Sequence, residues 1–233
     1  MKPNMLSFIM KRKSLLRFLA MASKVLLLLL GAGIVACVFG KVVRTEADPV
    51  RLDVYYESLC PDSIAFVKNQ LAVVYPQLKE ILVVDIFPYG NAKNVDNGQG
   101  GYLFVCQHGP DECAGNMMLA CAKNYISDGD LYVEFNICVM SARDPPTAGE
   151  LCAEELNIAY ESIAECSTST EGEQLLHEVG VLTHALVPEV TYIPWMVVND
   201  EHTYAIQNGA EYDLLEFVCT EYQGVSKPEA CSV

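Results

Sequence analysis

Residues 52–56 form a short apolar and aromatic run, and a cysteine, a proline and a helical pattern follow almost at once. No other stretch restricts the fold as tightly. Ile64, Val67, Leu71 and Val74 recur at three- and four-residue steps, which is one face of a helix. Pro61 suits the first helical turn, where its missing N–H costs nothing. The stretch therefore reads as strand, cysteine, helix. Cys60 lies at the positive end of the helix dipole, an environment that favours a thiolate and makes a sulfur nucleophilic. The same position would also suit a half-cystine that merely precedes a helix. Three residues on, where a dithiol site would carry its resolving sulfur, stands Ser63. A hydroxyl can hydrogen-bond a thiolate but cannot attack a disulfide. One sulfur can begin thiol–disulfide exchange and cannot finish it alone.

The rest of the chain extends this start into an α/β fold. Residues 81–87 are a near-continuous apolar run ended by Pro88, as expected of a buried, parallel strand, so the chain opens with a βαβ unit. Residues 91–101, rich in Asn and Gly, read as loop. Residues 101–106 read as a third strand and 112–126 as helix. From about 107 to 186 several helical pieces are broken at Asp144-Pro145-Pro146 and at the Ser/Thr cluster 167–170. With Cys138, Cys152 and Cys166 in it, this segment reads as a disulfide-stapled helical insertion. Residues 192–199 return to strand, with Pro194 near the start, where a missing ladder donor is tolerated. Residues 203–206 could pair with that strand as a hairpin, and 211–222 would form a last helix.

The leading segment differs in kind. Lys2, Lys11, Arg12, Lys13, Arg17 and Lys24 precede an uncharged run of 16 residues, 25–40. This is the layout of a secretory signal with a long basic n-region, and the run is shorter than the roughly 20 residues that span a bilayer. Residues 1–47 are thus expected to be a signal peptide or signal-anchor and 48–233 the folded domain; membrane contact would follow only if the segment stayed uncleaved. Beyond residue 47 the chain carries 7 basic and 29 acidic side chains, a formal net charge near −22. That charge argues against nucleic acid as a partner. It fits either a solvated surface or service at acidic pH.

Cysteine usage points to an oxidising compartment. Setting aside Cys37 in the leader, nine remain: Cys60, Cys106, Cys113, Cys121, Cys138, Cys152, Cys166, Cys219 and Cys231. If Cys60 is the unpaired one, eight are left for up to four disulfides, and spacing alone assigns no pairing. The intervals of seven and eight between Cys106, Cys113 and Cys121 lack the close pairs that grip a tetrahedral ion. His177, His184 and His202 are scattered, so no metal is expected.

The run Cys106-Gln107-His108-Gly109-Pro110-Asp111-Glu112-Cys113-Ala114-Gly115-Asn116, continuing to Cys121, resembles the signature of the gamma-interferon-inducible lysosomal thiol reductases: CQHG, two residues, EC, two residues, N, four residues, C. The likeness extends from about residue 50 to 231. It implies a thioredoxin-like fold with a helical insertion, and reduction of protein disulfides in acidic endosomes and lysosomes. It also implies a cis peptide before Pro194, with that loop facing Cys60. Those proteins use a Cys-x-x-Cys pair on the first helix; here the motif is Cys60-Pro61-Asp62-Ser63, so only the nucleophile carries over. Within the signature, Cys106, Gln107, His108, Gly109, Glu112, Cys113, Asn116 and Cys121 are expected to be structural, with His108 capping or packing. The chain holds no Asn-x-Ser or Asn-x-Thr triplet, which removes glycan-tagged sorting and leaves secreted and lysosomal or endosomal destinations open.

Two functions follow. In one the protein is a thiol reductase acting on disulfide-containing proteins through Cys60 alone, without a cofactor, a small thiol serving as co-reductant. In the other it is a binding protein on a retired redox scaffold.

Overall fold

Alternation along three strands sets the architecture. The computed structural model describes residues 47–232, so the expected leader, apart from Ala47, and Cys37 lie outside the described residues. In β1 (Val50–Tyr56), Val50, Leu52, Val54 and Tyr56 enter one apolar cluster and Tyr55 enters a second on the opposite face. Side chains on a strand point alternately to its two faces. The same division recurs in β2 (Leu82–Pro88), where Leu82, Val84 and Ile86 face one way and Phe87 the other. It recurs again in β5 (Trp195–Val198), between Met196 with Val198 and Trp195 with Val197.

The sheet order is β2-β1-β5, with β2 parallel and β5 antiparallel to β1. β1 is central and covered on both faces, so all of its residues but Arg51 are buried, and its one buried charge, Asp53, pairs with Arg51. The register places Tyr55 opposite Phe87, and their rings stack with centroids 4.4 Å apart.

The first helix starts as α1 (Pro61–Phe66), passes through a π turn (Val67–Leu71) and continues as α2 (Ala72–Leu78). Its Phe66, Val67, Leu71 and Val74 fill the first cluster. So do residues of α4 (Gly129–Ser141) and α9 (Leu214–Glu221), among them Phe135 and Val218. The opposite face receives Leu176 and Val179 of α7 (Thr170–His184). A parallel βαβ unit, a helical insertion and an antiparallel strand entered through the cis Ile193–Pro194 peptide make a thioredoxin-like fold.

The insertion comprises α3 (Pro110–Tyr125), α4, α5 (Gly149–Glu155), α6 (Glu161–Ser167) and α7. Disulfides Cys121–Cys166 and Cys138–Cys152 staple it, Cys106–Cys113 closes its entrance, and Cys219–Cys231 ties down the C-terminal segment. The 45-residue separation of Cys121 and Cys166 gives the largest loop. In the chain-entropy picture closing it is worth about 4 kcal/mol. Among the described residues Cys60 is the free cysteine.

Four sequence expectations need correction. Residues 91–101 are not all loop: β3 (Lys93–Asp96) pairs with β4 (Tyr102–Val105) in a hairpin, and the Asn/Gly-rich part is its tip, where Gly98 and Gly100 take φ of +73° and +87°. That hairpin is a separate two-stranded sheet, so β4 does not extend the main one. Residues 203–206 do not pair as a strand, because Thr203 caps α8 (Tyr204–Tyr212), its hydroxyl accepting from Ile206 N; the hairpin shrinks to one bridge between Val198 and Glu201. The last helix is divided at Asp213, whose carboxylate accepts from Glu216 N and starts α9 afresh. Among the described residues no helix is long and apolar enough to cross a membrane.

Candidate functional site

Cys60 is the N-cap of α1, with extended backbone (φ −65°, ψ 123°), and its carbonyl accepts the first helical bond from Ile64 N at 3.0 Å. The N–H groups of Asp62 and Ser63 belong to the first turn, whose donors have no partner within the helix. The thiol is nearly covered, with 6% of the residue exposed, and Sγ lies 3.9 Å from the carbonyl oxygen of Ile193, just before cis-Pro194. Two of the sequence candidates, Cys60 and the Pro194 loop, are thus brought together. Ser63 is fully buried on the inner side of the same turn, and its Oγ is 3.5 Å from Glu57 N.

Behind the cysteine the four residues 57–60 connect β1 to α1, and α3 holds them in place. Ser58 N donates to Asn116 Oδ1 at 2.9 Å, and Ser58 Oγ donates to the carbonyl of Glu112 at 3.1 Å. The fit is tight at Gly115, where a Cβ would meet Ser58 Oγ at 2.5 Å. Glu57 turns its carboxylate inward. Its Oε1 accepts from Asn91 N at 2.6 Å, whereas buried Oε2 makes no hydrogen bond and lies 3.4 Å from His108 Nδ1. His108 Nδ1 is 2.5 Å from Glu112 Oε2, and His108 N donates to Glu112 Oε1 at 3.0 Å.

Glu57 and Glu112 are both fully buried, which is costly for two charges. Burial first, and the neighbouring Glu112 carboxylate second, push Glu57 up to about 7. These three side chains offer ligand atoms within 4.8 Å of one another. Donors around a tetrahedral ion stand about 3.3 Å apart, given bonds near 2 Å. The contact of 2.5 Å between His108 and Glu112 is instead a direct hydrogen bond. The other histidines are packed against rings: His177 stacks on Tyr102 and His202 on Trp195, and His184 meets the Tyr89 ring edge-on.

Residues 51–156 match the family model described as gamma interferon inducible lysosomal thiol reductase (GILT). A gamma-interferon-inducible lysosomal thiol reductase of Carassius auratus is 37% identical over 196 residues, covering 83% of this chain and 76% of the relative. One from Mus musculus is 35% identical over 198 residues, covering 84% and 77%. This chain belongs to the GILT family. Among solved structures, a putative protein disulfide isomerase from Nitrosomonas europaea aligns with a TM-score of 0.45 at 12% identity, over 67% of this chain and 87% of that one.

The GILT signature has a physical reading here. Cys106 and Cys113 bond to each other across Gly109, whose φ of +94° makes the turn into α3, and Gln107 accepts from the Asn91 side chain at 2.8 Å. Asn116 and Glu112 fasten the segment in front of Cys60, and Cys121 ties α3 to α6 through Cys166. His108 bonds at the helix entry, in contact with both Glu57 and Glu112. Glu57 was not singled out in the sequence. Its signal was there: a carboxylate that directly continues a buried strand needs a partner.

Proposed function

We propose that this GILT-family thiol reductase acts through Cys60 as a single attacking sulfur. The observation that carries the reading is the unpaired Cys60 at the N-cap of α1, 3.9 Å from the Ile193 carbonyl, with the hydroxyl of Ser63 where a second thiol would be needed. The Cys60 thiolate attacks one sulfur of a substrate disulfide, forming a mixed disulfide and expelling the other sulfur as a thiolate that takes up a proton. A small thiol, as thiolate, then attacks the substrate sulfur of the mixed disulfide and releases Cys60. A second small thiol frees the substrate from that adduct. Two small thiols become one small disulfide, and one substrate disulfide becomes two thiols. The Pro194 loop holds the substrate chain beside the sulfur, and the first-turn N–H groups with Ser63 support the thiolate.

We further propose that the work is done in an acidic compartment of the secretory or endocytic route, or outside the cell. Support comes from the excess of 29 acidic over 7 basic side chains beyond residue 47, and from Glu57, which holds its proton up to about pH 7.

The near-complete burial of Cys60 favours one competing reading, a binding protein whose thiol is out of reach. A single assay separates the two: reduction of a disulfide-linked polypeptide by the purified protein with excess cysteine, at pH 5 and pH 7. Wild type is expected to exceed the uncatalysed rate, Cys60→Ala to fall to it, and Ser63→Cys to outpace wild type at low thiol concentration. An inert wild type beside an active Ser63→Cys would overturn the monothiol enzyme and leave the binding protein.

A further inference from the structure

A groove of about 360 Å³ opens along the helix that starts at Cys60. One side is the outer face of the first helix, with Asp62, Asn69 and Gln70; the other is formed by Tyr192, two residues before cis-Pro194, and by Glu211 and Tyr212 at the end of α8. It therefore adjoins both parts of the site, the helix that starts at Cys60 and the loop that faces its sulfur.

The charges in this groove are unbalanced. Asp62 is exposed and, among the described residues, has no hydrogen-bond or ion-pair partner. Glu211 receives Gln207 Nε2 at 2.8 Å and the Tyr192 hydroxyl at 3.4 Å on one oxygen, Oε2, and among the described residues has no cationic partner. Among the described residues no Lys or Arg lines the groove. The Tyr212 phenol is held above its ordinary range by the Glu211 carboxylate and, more weakly, by Asp62, which places one ring in the field of both charges. Tyr192 and Tyr212 expose 44% and 68% of their surface. Aromatic rings and carboxylates together make a surface that favours an ammonium or guanidinium group, through its charge and across the ring faces.

We propose that Asp62 and Glu211, with the Tyr192 and Tyr212 rings, are specificity determinants that select substrate polypeptides carrying a Lys or Arg close to the disulfide under attack. The inference rests on Cys60 as the attacking sulfur, because the groove matters to turnover only if the substrate lies along the Pro194 loop. A basic side chain one or two positions from the substrate cysteine enters the groove while its sulfur meets Cys60. An acidic one meets two carboxylates and is disfavoured.

The test uses disulfide-linked peptides identical except for one residue beside the cysteine, Arg, Gln or Glu. Exposed charge contacts change affinity by up to a few fold each, so the Arg peptide is expected to exceed the Glu peptide in kcat/KM by about ten-fold at low ionic strength. The ratio should shrink in strong salt, which screens exposed charges. Glu211→Gln and Asp62→Asn should each lower the ratio about two- to three-fold, and the double variant should bring it near one. Taking ratios removes any change that either variant makes at Cys60 itself. A parallel measurement by calorimetry uses the same peptides with Ser in place of Cys, so that binding is read without chemistry. Arg over Glu preference in binding but no reduction of any peptide would leave the groove standing and remove the monothiol reading. Reduction of all three peptides at one rate, with equal binding, would overturn the groove and leave the enzyme.

Discussion

Cys60 has two unlike neighbours. On one side is the start of α3, where Glu112, Asn116 and Gly115 touch residues 57 and 58 with almost no solvent. On the other is the groove of Asp62, Tyr192, Glu211 and Tyr212, where rings and carboxylates face water. The closed side spends its polar groups on the protein's own backbone, so it fixes where the sulfur stands. The open side keeps its polar groups for another molecule. If this division is right, changes on the closed side are read in stability and in pH dependence, and changes on the open side in substrate preference.

The largest expected effect lies on the closed side. Glu57 has an ordinary value of 4.5 and about 7 in the folded protein. Between those two pH values the folded state binds a proton that the unfolded state has released, so the stabilisation is complete below about pH 4.5 and is lost as pH rises through about 7. The shift corresponds to about 3 kcal/mol over that window. Asp53, raised by its burial, adds in the same direction. Denaturant unfolding at pH 5 and 7.5 should show wild type more stable in acid, and Glu57→Gln should remove most of that difference. An identical pH dependence in both proteins would mean that Glu57 does not hold its proton into this window. Next comes Asn116→Ala, which leaves the buried Ser58 N–H without an acceptor. A loss of about 2 kcal/mol is expected, seen as a fall in Tm of roughly 4–8 °C.

How far the sequence discloses each side follows from the range of the contacts involved. The strand, Cys60, Pro61 and the face of Val67, Leu71 and Val74 are local patterns, and they recur in the structure where the sequence puts them. The odd count of nine leaves one cysteine over, but that it is Cys60, and which of the other eight pair, needs the fold: Cys121 meets Cys166 because α3 packs beside α6. The corrections have two causes, a strand that needs its partner and local helix caps. Residues 91–101 were dominated by their Asn and Gly, and the short strand Lys93–Asp96 is visible only against its partner. Residues 203–206 do not continue the sheet because the Thr203 hydroxyl caps a helix. The Glu57–His108–Glu112 cluster joins residues about fifty positions apart, and no spacing rule reaches that far. Tyr192 and Glu211, 19 positions apart, meet on one wall of the groove for the same reason.

The smallest effect is the one that tests the open side most directly. Tyr212 exposes 68% of its surface, and the hydrogen bond that anchors this position is made by its backbone, the carbonyl accepting from Gln70 Nε2 at 2.8 Å. Truncating the ring in Tyr212→Ala removes little buried surface and no backbone contact. Stability should change by no more than about 0.5 kcal/mol, with the pH dependence set by Glu57 unchanged. Thermal unfolding at pH 5 and 7.5 reads both quantities. A loss comparable to that of Asn116→Ala would mean that the ring supports the Cys60 helix rather than facing a partner, and the two sides would then be one framework. An unchanged Tm together with a weaker preference for the Arg-flanked peptide would separate them, because a ring that the stability of the free protein does not depend on then acts on what comes to it.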